Sequence, residues 1–192
     1  MPLLILGLML FLGVHSIRIV ADGWRARFIA AAGEPLWKAA YSLLAVTGLV
    51  LAIQGYAEAR LAPVVLWSPP VWTRHAAALL TLPAFVLLAA AYVPGTRVKR
   101  AVGHPMVLGV AVWAGAHLLA NGTLADALLF GAFLLWAAAD YVAARRRDRA
   151  APGAHTTGGP ARDLVAAGAG LALWLAFTFW LHRALIGVAP FG

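Results

Sequence analysis

Histidine is the residue type in this 192-residue chain best placed to do chemistry, and there are six. Cysteine is absent, which excludes disulfides, thiolate ligands and a cysteine nucleophile. His155 lies in a polar stretch and reads as solvated. His15, His75, His104, His117 and His182 fall within or at the ends of long apolar runs. An ionisable side chain in such a run is costly and marks a functional position by default. Helical spacing puts Gly7, Phe11, His15, Arg18 and Asp22 on one stripe. Gly7 leaves space beside the helix and His15 offers a neutral imidazole. Arg18 offers a cation one turn on, and its i,i+4 relation to Asp22 predicts an ion pair. His117 shares its stripe with Val110, Trp113 and Asn121. A glycine gap, a histidine and an arginine suit a flat cofactor with carboxylate tails, and membrane haem is held by such imidazoles, often one from each of two helices. The alternative is a pair of histidines that hydrogen-bond across helix interfaces. Each lies about 20 Å along its own helix, and the two helices run in opposite directions. Their depths therefore differ by about 10 Å in a hydrocarbon core about 30 Å thick.

The remaining polar positions form a second tier. His104 precedes Pro105, a residue suited to a first helical turn, so it reads as a capping or interfacial group facing away from His117. His75 and His182 lie toward the same ends of their spans, where they either cluster with Arg74 or sit at the interface. Asn121 completes the set. Asp140 is expected to pair with the arginines that follow it. No HExxH, Walker loop or GxSxG is present, and the acids are too few and too peripheral for an ordinary proton-coupled transporter.

The elements that position these residues follow from composition. The chain is 63% hydrophobic and 11% charged, far from the soluble average of roughly 45–50% and 25%. One core cannot hide that excess, so lipid must face the surface. Six apolar runs, roughly residues 2–20, 36–57, 72–93, 104–120, 123–143 and 164–187, are long enough for helices and lack period-2 alternation. The fold expected is therefore all-α, a polytopic membrane bundle of about six transmembrane helices forming one domain over 1–192. Gly33-Glu34-Pro35, Ser68-Pro69-Pro70, Pro94-Gly95 and Asn121-Gly122 punctuate the runs, and 145–162 reads as a flexible linker. The N-terminus lacks a basic n-region and a cleavage site, so it reads as a retained first helix. With six spans, twelve of the 15 basic residues collect on one side, and the other keeps Arg60, Arg74 and Arg183. That bias predicts both termini outside. It also explains the formal charge of +8 as a topology signal rather than a nucleic-acid surface.

The stretches LGLMLFLGVHSIRI, LWSPPVWTRHAAALL, AAYVPG, GHPMVLGVAVWAGAHLLANG and WLHRALIGVAPFG resemble the NnrU family of bacterial membrane proteins, nearly end to end. That resemblance implies a multi-pass protein of the bacterial inner membrane, linked to denitrification and nitric oxide metabolism. More distantly, the VHS, HP and AH elements are similar to those of the zeta-carotene isomerase, a haem b enzyme acting on a polyene. Its axial histidines fall on His15 and His117 of this chain. The isomerase carries a cysteine where this chain has Ala114. The implied function is a haem b protein with Arg18 or the cluster Arg97, Lys99 and Arg100 meeting the propionates, acting on a hydrophobic small molecule drawn from the lipid bilayer. The competing class is a non-catalytic accessory or assembly protein of nitrogen-oxide metabolism.

Overall fold

The computed structural model describes residues 1–150 and 158–191. Eight helices run through them: α1 (Pro2–Val20), α2 (Asp22–Ala32), α3 (Glu34–Leu61), α4 (Trp72–Tyr92), α5 (Arg97–Val102), α6 (Pro105–Ala120), α7 (Leu124–Ala150) and α8 (Pro160–Ile186). Among the described residues there is no strand, only an isolated bridge pairing Val65 with Thr123. Proline opens α1, α3, α6 and α8, where its missing N–H has no helical partner to lose. Gly33 ends α2 at φ 87°, a left-handed turn that reverses the chain into α3. Five helices, α1, α3, α4, α7 and α8, are long and apolar enough to cross a membrane. Their outer faces carry bare leucine and tryptophan (Leu43, Leu79, Leu135, Trp180), a surface that fits a helical bundle in lipid.

Two expectations, on the loops and on the linker, need correction. The run at 104–120 forms α6 as expected, its 16 residues reaching about 24 Å against a hydrocarbon core of about 30 Å. His104-Pro105 stops it at one end and Asn121-Gly122 at the other. Two short helices, α2 and α5, occupy segments expected as loops between spans. Residues 145–150, expected as linker, continue α7, because alanine and arginine are strong helix formers and Arg145 pairs with Asp148 at 3.6 Å. Residues 160–162 likewise belong to α8, while 151–157, with His155, lie outside the described residues. Finally, α8 carries a π turn at Phe177–Leu181, which apolar periodicity does not reveal.

Packing divides into two kinds. α1 and α3 meet along small residues: a Cβ on Gly7 would overlap the backbone of Leu51 and Ala52, and one on Gly55 the backbone of Leu3 and Leu4. Gly48, Ala52, Gly55 and Ala59, all buried, repeat at alternating steps of four and three, which keeps one stripe of α3 on α1. The same device joins α4 to α6 at Gly109 and to α8 at Gly170. Between these pairs stands α7, which packs against α1 on one side and α6 on the other. One end of the bundle gathers the arginines: Arg147 donates to the Arg18 carbonyl (3.3 Å), Arg162 to that of Pro94 (3.0 Å), and Arg97 meets Asp163 (3.5 Å). At the other end Arg60 donates to the Ile186 carbonyl (2.8 Å).

Candidate histidine site

His15 on α1 and His117 on α6 share one local design. Each ring has an aromatic residue one turn before it, and each Nδ1 lies on that residue's carbonyl oxygen: Phe11 at 2.6 Å and Trp113 at 2.8 Å. A carbonyl only accepts, so each Nδ1 carries the proton and each Nε2 presents its lone pair. Fixing one ring nitrogen on a carbonyl is how proteins set a histidine to ligate through the other.

Both rings border one aromatic layer on α7. His15 packs on Phe11 (4.3 Å) and meets Trp136 edge-on at 5.9 Å, while His117 stacks on Phe130 at 4.6 Å. Phe133 joins the two halves, touching Phe11 at 5.7 Å and Trp113 at 5.6 Å. α1 and α6 each pack on α7, so the two imidazoles reach one aromatic layer from different helices. Trp136 and Phe130 are six residues apart, which offsets the rings by about 9 Å along the helix, close to the offset of about 10 Å expected from their positions in the sequence. Among the described residues no three His, Cys, Asp or Glu side chains converge as a metal cluster. Two axial imidazoles need no such cluster.

Imidazole is a donor type that a haem iron takes, and an unpaired N–H stands beside one of the two rings. The indole N–H of Trp136 is buried with no acceptor among the described residues, against His15. An unpaired donor in an apolar interior is costly, and an acceptor-bearing group there would satisfy it. The rings of Phe11, Phe133 and Trp113 stand between the imidazoles, so both taking one iron displaces them.

Gly7 is not a gap for a cofactor: the backbone of α3 fills it. Arg18 does not pair with Asp22, which instead meets Arg25 at 3.5 Å; its side chain is exposed, one turn below His15. The alternative cations Arg97, Lys99 and Arg100 lie on α5, which packs with α4, α6 and α8, away from α1. Asn121 donates back to the His117 carbonyl at 2.9 Å and so ends α6. The backbone of His104 begins α6, but its ring bonds Asp148 at 3.0 Å rather than capping the helix. Arg74 is exposed and His75 stacks on Phe191 at 5.6 Å, while His182 lies on the Val188 carbonyl at 2.7 Å. The three form no hydrogen-bonded cluster. Asp140 pairs with Arg147 at 3.7 Å, as its sequence position suggested.

One buried acid escaped sequence reasoning. Asp126 accepts from the Tyr56 hydroxyl at 2.5 Å and from the backbone N–H and hydroxyl of Thr123 at 2.9 and 2.7 Å. The signal for half of this was present, because Thr123-Leu-Ala-Asp126 has the spacing of a capping box, and Asp126 N–H returns a bond to the Thr123 hydroxyl. The Tyr56 contact spans 70 residues and has no local signature.

The architecture is that of a polytopic helical membrane protein. Residues 3–190 match the model of the family described as NnrU protein, and the chain belongs to that family. No curated protein and no solved structure matches it, so the likeness to the carotene isomerase rests on the short motifs alone.

Proposed function

We propose that this NnrU-family chain is an integral protein of the bacterial inner membrane that holds one haem b between His15 and His117. The observation that carries the reading is the matched pair of imidazoles, each with Nδ1 on an i−4 carbonyl so that Nε2 is the nitrogen left for a ligand, reaching one aromatic layer of α7 from two helices. Haem bound there supplies one-electron redox chemistry and ligand exchange, and the isomerase-like motifs suggest cis–trans isomerisation of a hydrophobic polyene as its use. The chain's own part is to fix two ring tautomers, supply aromatic surfaces for a flat macrocycle, and exclude water. Arg18, exposed one turn from His15, is the cation nearest for a carboxylate tail. The clustering of arginines at one end supports that end being cytoplasmic and both termini periplasmic.

A second reading has its own observation. The rings of Phe11, Phe133 and Trp113 already fill the space between the imidazoles, which favours an accessory protein of nitric oxide or denitrification metabolism whose histidines serve packing. Absorption spectra of the detergent-purified protein, oxidised and dithionite-reduced, separate the two. A six-coordinate b-type spectrum lost in both His15→Ala and His117→Ala is the expected outcome. A wild type that stays colourless after haem is supplied leaves the accessory reading.

A further inference from the structure

Where α1 leaves α7 at the arginine-rich end, a cleft of about 690 Å³ opens between them. Arg18, Arg146 and Arg147 form its rim, and Ala139, Val142 and Ala143 contribute to its wall. Of the acids nearby, Asp22 forms an ion pair with Arg25 (3.5 Å) although its Oδ1 has no hydrogen-bond partner among the described residues, and Asp140, behind the cleft, pairs with Arg147 (3.7 Å). Arg18 and Arg146 meet no carboxylate among the described residues, and both are exposed. The cleft thus carries two surplus cations over an apolar wall. That wall continues along the outside of α7, because Leu135, Ala138, Ala139, Val142 and Arg146 follow one another at helical spacing. Leu135 is 74% exposed and Val142 47% exposed. An apolar track running up a membrane helix and ending in unpaired arginines has the chemistry of a phospholipid: acyl chain on the track, phosphate at the rim.

We infer that this cleft is a binding site for an anionic phospholipid, with the headgroup phosphate between Arg18 and Arg146 and an acyl chain along Val142, Ala139 and Leu135. Charge complementarity selects an anionic over a zwitterionic headgroup, and the continuous apolar track selects a lipid over a free phosphate. The site shares Arg18 with the haem reading, whereas Arg146 belongs to the cleft alone and so carries the decisive variant.

The test is native mass spectrometry of the full chain in detergent, titrated with phosphatidylglycerol or with phosphatidylcholine of the same chains. Phosphatidylglycerol should stay bound at collision energies that strip phosphatidylcholine. Retention should fall roughly tenfold or more in Arg18→Gln/Arg146→Gln, fall in Arg146→Gln alone, and stay unchanged in Arg27→Gln, an exposed arginine outside the cleft. Ala139→Leu narrows the cleft without altering charge and should also weaken retention, which guards against a purely electrostatic surface effect. Equal retention of the two lipids, or equal loss in Arg27→Gln and Arg146→Gln, overturns the site. Displacement of the lipid by millimolar inorganic phosphate assigns the arginines to a free anion and overturns the lipid as occupant.

Discussion

The two faces of α1 solve opposite problems. Toward α3 it presents Gly7, and the helices approach until backbone meets backbone, with His15 meeting Tyr41 (5.2 Å) farther along the seam. Toward α7 it presents Phe11 and His15, which meet Phe133 and Trp136 with ring centroids 5.7 and 5.9 Å apart. In lipid, apolar burial gives little reason for helices to associate, so close van der Waals packing at small residues must hold the bundle together. The α1–α3 seam does that. Contacts made by large side chains across a wider gap tolerate rearrangement, and they leave room for polar atoms with unused capacity. His15 and the Trp136 N–H lie on that wider side. The α1–α3 scaffold and the His15 half of the candidate site therefore share a single helix, and His117 joins from α6.

The sharpest way to break this comparison is to fill the seam. Gly55→Leu or Gly7→Leu drives a side chain into backbone that cannot give, at a cost of about 3 kcal/mol or more. Loss of the monodisperse peak in detergent, or a large drop in thermal midpoint, is expected; a variant that melts like wild type refutes the seam as the main support. On the aromatic side, Phe133→Ala removes the ring that joins the two imidazole halves, and should destabilise by about 1–3 kcal/mol while easing access between the histidines. If haem is bound, its affinity should hold or rise in this variant although stability falls. A parallel loss of both would put Phe133 with the scaffold.

Asp126→Ala tests the buried acid beneath this layer. It strands the Tyr56 hydroxyl and the Thr123 N–H, and should cost about 1–3 kcal/mol in thermal or denaturant unfolding. Tyr56→Phe removes one bond and should cost less, near the ~0.6 kcal/mol average for hydrogen bonds inside membrane proteins. Equal effects from the two variants would mean that Asp126 acts through Tyr56 alone and that the cap contributes nothing. The smallest change lies at the start of α3, where Lys38 meets Glu34 at 2.9 Å with both side chains largely exposed. Lys38→Gln should leave the thermal midpoint almost unchanged, and less changed still in high salt. A larger shift there would blur the distinction between scaffold and surface.

Much of this molecule follows from local composition. Apolar runs bounded by Gly33, Pro69-Pro70 and Asn121-Gly122 locate the membrane helices, because backbone in lipid must satisfy its own hydrogen bonds and helices do so within one segment. His15 and His117 stand out for a similar reason: a polar ring in an apolar run is conspicuous wherever the run packs. Their Nδ1 bonds are legible too, since each acceptor lies four residues back on the same helix. What the chain alone does not decide is which neighbour fills a given space. Gly7 reads equally as room for a cofactor or room for a helix, and only the approach of Leu51 and Ala52 resolves it. Asp22 has basic residues within a turn on either side, and the break at Ala21 that begins α2 gives it to Arg25 rather than Arg18. Tyr56 and Asp126 are distant in sequence, and the cleft between Arg18 and Arg146 joins residues 128 positions apart. Such pairings depend on how helices are arranged around α7, which short-range hydrogen bonding and periodicity do not encode.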